Sequence, residues 1–142
     1  MTDGGPGRPE TGRELLALMP FAVALGIELD AAAPGEVRGH LAWSPERCTA
    51  GGILHGSVLM ALADSLGGIC AYLNLPPGGR TATISSSSVF LRAVRAGVVT
   101  AVARPLHAGR AMIVVQTDLT DDGGALAAQV TQTQAVSAGT PA

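Results

Sequence analysis

The sequence predicts an α+β fold in which a curved antiparallel sheet wraps one long apolar helix, and three observations point there. The stretch 58–73 is apolar almost all round, follows a glycine-rich approach, and stops before Pro76-Pro77-Gly78-Gly79. Beyond that break, Val, Thr and Ile dominate four segments, 81–91, 97–106, 111–119 and 125–136. Ahead of the helix, the short segments 27–32 and 36–43 flank Pro34-Gly35, the pattern of a hairpin.

Taken along the chain, residues 1–12 are rich in Gly, Pro and polar groups and are expected to form a flexible tail. Residues 13–19, RELLALM, suit a short helix that Pro20 stops. After the hairpin, Ser57 is the expected N-cap of the long helix. The turns Ala96-Gly97, Ala108-Gly109 and Asp121-Asp122-Gly123-Gly124 are short enough to join antiparallel neighbours. One domain is expected over 13–138, with no internal repeat and no second domain.

Composition narrows the function. The 142 residues are 47% apolar, 14% charged and only 3% aromatic, so a core of small side chains is expected, helped by burial against another subunit. The net charge of −2 and nine scattered Arg residues, with no Lys, carry no footprint for nucleic acid. Cys48 and Cys70 make neither a disulfide framework nor a metal cluster, and no leader pattern opens the chain, so a reduced, cytoplasmic setting is expected. His55, Asp64 and glycines interrupt the apolar run 53–73, which reads as a core helix rather than a membrane span.

Asp64 is the residue that most needs explaining. Met60, Ala61, Leu62, Ala63 and Leu66 surround it in sequence, and a carboxylate buried among them must be paired, protonated or used. The ordinary alternative is an Asp that bonds across a subunit interface. Upstream, Gly51-Gly52-Ile53-Leu54-His55-Gly56-Ser57 leads into the helix N-terminus, where backbone N–H groups and the helix dipole suit a developing oxyanion. His55 by itself reads equally as a structural histidine. Gly56 and Asp64 are eight residues apart, about 12 Å along a helix. One small reacting group cannot touch both in one chain, so a shared reaction requires Gly56 of one subunit to face Asp64 of another.

Gly52-Ile53-Leu54-His55-Gly56-Ser57, with Leu62-Ala63-Asp64 following, resembles the motif of hotdog-fold thioesterases. The nearest group is the phenylacetic-acid-degradation type, related to 4-hydroxybenzoyl-CoA thioesterase. The likeness continues through Phe90-Leu91-Arg92, Ala108-Gly109-Arg110, Asp118-Leu119-Thr120 and Ala127-Ala128-Gln129, and spans roughly 20–136. It implies a hotdog domain whose subunits join sheets edge to edge, as dimers and as dimers of dimers. It implies an acyl-CoA thioesterase acting without a cofactor or metal, with Asp64 as general base or nucleophile and the Gly56 N–H of the partner polarising the thioester carbonyl. Thr49 stands where relatives carry Asn or Gln, Ser57 replaces a second glycine, and the run Ser85-Ser86-Ser87-Ser88 is unusually polar. Thr83 matches a hydroxyl that some relatives place near the catalytic acid. Ser57, Thr83, Arg92, Gly109 and Arg110 are the expected substrate-binding positions, the two arginines for a CoA phosphate.

Rival readings remain open at the level of sequence. A hotdog hydratase or dehydratase would pair His55 with Asp64. A non-catalytic acyl-CoA-binding module would use the same pocket without turnover. A Cys–His hydrolase would join Cys48 to His55.

Overall fold

A computed structural model describes residues 11–138. The elements are α1 (Gly12–Ala17), α2 (Pro20–Leu25), β1 (Glu28–Ala33), β2 (Glu36–Ala42), α3 (Gly56–Leu73), β3 (Arg80–Phe90), β4 (Val98–Ala108), β5 (Met112–Thr120) and β6 (Leu126–Ser137). Two short 3₁₀ turns, Pro45–Arg47 and Ala50–Gly52, lead into α3. Six antiparallel strands form one sheet in the order β1-β2-β4-β5-β6-β3, which curls around α3 as the hotdog arrangement requires.

Alternation builds the core. Val99, Ala101 and Ala103 of β4, and Ile113, Val115, Thr117 and Leu119 of β5, are fully buried at every second position and face the helix. Leu62, Leu66 and Ile69 of α3 fill the space above them, also with no exposure. Gly39 of β2 is tightly enclosed by both layers: an added Cβ would lie 2.6 Å from the Glu28 carbonyl oxygen of β1 and 3.0 Å from Leu66 of α3. Gly39→Ala is therefore expected to destabilise the fold by about 1–3 kcal/mol, read as a lowered Tm in thermal melting. On the outer side, His40 of β2 lies 2.9 Å from Asp30 and 2.7 Å from Glu28 of β1, tying the hairpin together. The hydrogen bond to Asp30 is the main reason its pKa is raised.

Two boundaries differ from the sequence expectation. The helix expected to stop at Pro20 is followed at once by a second one, because Pro20 occupies the first turn of α2, where its missing N–H has no helical partner to lose. Helix α3 starts two residues before Val58, and its N-cap is His55, not Ser57: His55 Nδ1 accepts the Ser57 N–H at 3.1 Å. Of the expected tail, 1–10 lie outside the described residues; Thr11 caps α1 through the Glu14 N–H, and Gly12 opens that helix.

Helix α3 is long and apolar enough to cross a membrane by composition, yet half of it is buried inside this fold. Asn74 closes it, donating to the Pro34 and Cys70 carbonyls at 2.7 and 2.8 Å.

Candidate active site

The glycine loop before α3 is fixed at several points. Gly51 and Gly52 hold φ of +79° and +72°, a left-handed conformation that favours glycine. Their carbonyls accept from Arg95 Nη1 at 3.2 Å and Trp43 Nε1 at 3.0 Å. Leu54 N–H donates to Val94, His55 N–H to Arg47 and Thr49 N–H to Ile53. The His55 ring completes the cap: Ser57 Oγ lies 2.6 Å from the same Nδ1 that accepts the Ser57 N–H, so the hydroxyl donates to it. Gly56 is the first residue of α3, and the aligned amides there favour negative charge. A Cβ added at Gly56 would stand 3.3 Å from the Phe90 ring, so the absence of a side chain lets the end of β3 approach the helix.

Gly56, Thr49 and Arg92 line one cavity of about 390 Å³, together with Phe90. Asp64 does not belong to it. The carboxylate stands between two other cavities, of about 500 and 410 Å³, and Phe21 of α2 lines both. The larger adds Ser65, Tyr72, Thr81 and Thr83; the smaller adds Ser57, Met60 and Ser86. The structure thus brings Asp64 together with Thr83 and Ser57, and Gly56 with Thr49 and Arg92, on separate surfaces of one chain.

Asp64 differs from the sequence expectation in one respect: it is not enclosed, because it lies on the one face of α3 that the sheet leaves open, beside exposed Met60. Its apolar surroundings still crowd it enough that partial burial raises the carboxyl above the ordinary Asp range. Among the described residues no cation or hydrogen-bond donor pairs with it.

The other predicted residues scatter. Arg92 Nε lies 3.2 Å from Asp121, whose other oxygen accepts from the Gly123 and Ala125 amides at 3.0 Å each. Gly109 and Arg110 form the β4–β5 turn at the opposite end of the sheet, Gly109 N–H donating to Met112 at 2.9 Å and Arg110 exposed. Cys48 and His55 are not a couple: Cys48 Sγ donates to Ser44 at 3.3 Å, and the His55 Nδ1 is taken by Ser57. Burial lifts the Cys70 thiol to about 11, which keeps it protonated and unreactive.

Sequence reasoning passed over Phe21, Tyr72 and Gln134, and met Phe90 only within the family likeness. Gln134 had a signal: it shares the parity of the apolar Ala128 and Val130 along β6, which marks the inner face. The others depend on which segments pack together, and nothing local marks them.

Comparison with known proteins agrees with this fold. Residues 51–128, more than half of the chain, match the Thioesterase superfamily. The fold superposes on thioesterase HI1161 of Haemophilus influenzae with a TM-score of 0.84 at 28% identity, covering 92% of this chain and 93% of that one. It is similar to the phenylacetic acid degradation protein PaaI of Thermus thermophilus, with a TM-score of 0.75, 27% identity and coverage of 82% and 97%. The 1,4-dihydroxy-2-naphthoyl-CoA hydrolase of Escherichia coli is 31% identical over 85 residues, 60% of this chain and 62% of its own. A curved sheet around one apolar helix, a glycine-rich turn at that helix's start and a carboxylate two turns along it, in a sequence matched over this same segment, show that the chain belongs to the Thioesterase superfamily and is a thioester hydrolase of the hotdog fold.

Proposed function

We propose that the chain hydrolyses acyl-CoA thioesters at sites shared by two copies, with Asp64 from one and the Gly56 N–H from the other. The observation that carries this reading is the separation of the two half-sites into different cavities of one chain. Strand β3 supplies the means of joining them. It is eleven residues long, lies at the edge of the sheet, and is exposed along most of its length. Thr83, in its first half, lines the Asp64 cavity; its end, at Phe90, lines the Gly56 cavity about 23 Å away. Antiparallel pairing of two such edges about a two-fold axis near Ser86 and Ser87 brings Thr83 of one copy beside Phe90 of the other. In this reading the polar run Ser85–Ser88 is the strand where two sheets meet, and small side chains suit that approach.

The thioester carbonyl then rests at the Gly56 N–H, and Asp64 takes a proton from the attacking water or attacks directly to form an anhydride. Thr49, Ser57 and Thr83 line the walls on the two sides. His55 acts by capping α3 and so aiming the Gly56 amide. The same pairing returns Arg92 of one copy toward the Gly109-Arg110 turn of the other, although the two lie at opposite ends of the sheet within one chain. Arg92 is held by Asp121, which leaves Arg110 the better placed for a CoA phosphate. CoA as the leaving thiol is supported by the similarity to a naphthoyl-CoA hydrolase. The unpaired Cys48 and Cys70 suit a reduced, cytoplasmic compartment.

Release of free thiol from a panel of aryl, short-chain and medium-chain CoA esters tests this reading. Binding without turnover, or hydration of an enoyl-CoA without thiol release, would overturn it. On the same panel, Arg110→Ala is expected to raise KM for CoA esters several-fold and to leave a short non-CoA thioester unaffected. An equal effect on both substrates removes Arg110 from the phosphate site.

A further inference from the structure

Beneath Asp64 the inner face of the sheet turns polar. Strand β3 bulges between Thr83 and Ser85, where Ile84 is inserted. The bulge points both Thr83 and Ser86 to the side of their partners Gln134 and Gln132 on β6. Gln134 is only 2% exposed, in a row that opens with the apolar Ala128 and Val130 and continues through Gln132, 1% exposed. A primary amide there is costly unless its polar atoms are bonded, and those of Gln134, unlike those of Gln132, are. Thr81 Oγ1 donates to Gln134 Oε1 at 3.1 Å, and Gln134 Nε2 donates to Thr83 Oγ1 at 2.7 Å.

The direction of these bonds matters. A threonine hydroxyl has one proton to give and two lone pairs. Thr81 spends its proton on the amide, whereas Thr83 receives one and keeps its own. Thr83 lines the cavity that Asp64 also lines, so the proton it keeps is available there. We infer that Gln134 is a positioning residue for thioester hydrolysis: its buried amide keeps the Thr83 hydroxyl a donor facing the cavity it shares with Asp64, where it bonds one carboxylate oxygen once substrate and water fill the site and leaves the other oxygen to the attacking water. This rests on the proposed role of Asp64. Burial alone raises the Asp64 carboxyl in the free chain; a donor to the ionised form holds a carboxyl pKa down, so this bond, when it forms in the substrate complex, opposes that rise and favours the ionised base.

Gln134→Leu and Thr83→Val, alone and together in the full chain, test the relay. Each is expected to lower kcat about tenfold, the scale of one hydrogen bond, with little change in KM. Each should also move the acid limb of kcat, which reports the substrate complex, to higher pH, and the double variant should resemble Thr83→Val. Gln134→Glu is the companion should the leucine variant fold poorly: an ionised carboxylate accepts from both threonines, turns the Thr83 proton away from the cavity, and predicts the same loss. A further loss when Gln134→Leu is added to Thr83→Val, or an unmoved acid limb in the Gln134 variants, overturns the relay. If Asp64→Asn retains full turnover, the role of Asp64 itself has failed; if it is inactive and the acid limb is unmoved, only the relay has.

Discussion

Asp64→Asn is expected to keep the fold and to lower thioester hydrolysis by roughly 10²–10⁴-fold, the usual contribution of a positioned acid–base group. Asn has nearly the shape of Asp but neither the charge nor the basic lone pair, so packing against Phe21 and Met60 is kept while proton abstraction and nucleophilic attack are both lost. Partial burial raises the Asp64 carboxyl, and only its ionised form can act as base. The kcat/KM of the wild type should therefore fall on the acid side at a pH above the ordinary Asp range. The stability effect has the opposite sense. Because the folded-state pKa is raised, any stability this group contributes is fully present below its unfolded pKa and is lost as pH rises through the folded one. At neutral pH the Asn variant should be at least as stable as the wild type. Stopped turnover with an unchanged or higher Tm is the expected pair of results; wild-type rates in Asp64→Asn would end the mechanism.

Gly56→Pro removes the proposed oxyanion donor at a position that accepts proline. Gly56 is the first residue of α3, where proline is accepted, and His55 before it has φ −62° and ψ 135°, a conformation compatible with a following proline. The added ring meets Phe90, which is half exposed and can yield. What disappears is the N–H itself. Loss of one oxyanion donor typically reduces kcat by about 10²–10³-fold. Mixing the two inactive proteins then asks whether the site is shared. A mixed dimer of Asp64→Asn and Gly56→Pro chains keeps one intact site of two, so random exchange of equal amounts should restore about a quarter of wild-type activity. Recovery requires that subunits exchange, which brief partial unfolding and refolding of the mixture ensures. No recovery after exchange would place both groups in one chain and refute the shared site.

Local rules made most of the architecture legible. The alternation of 99, 101 and 103 and of 113, 115, 117 and 119 defines strands whose inner faces need no partner to identify. The Pro-Gly break at 76–79 separates helix from sheet for the same reason. The misreadings were local competitions. Pro20 ends one helix by denying it an N–H, and that same lack makes it fit to begin the next. At α3, Ser57 is a good capping residue, but the His55 imidazole reaches the Ser57 amide first and moves the helix start upstream.

What the sequence by itself determined was the inventory of chemistry and its spacing: one carboxylate on an apolar helix, a glycine turn at that helix's start, and too great a distance between them for one chain to use both. Helical rise is a property of the backbone, so that conclusion needed no coordinates. Only the tertiary structure decided which surfaces each group faces. The opening of the Asp64 side of α3 follows from where the sheet stops, and the approach of Phe90 to Gly56 from how β3 crosses the helix. The seating of Gln134 between Thr81 and Thr83 follows from a register shifted by one inserted residue at Ile84. Pairing between distant strands sets these relations, and a slip of one residue would send each of those side chains to the other face.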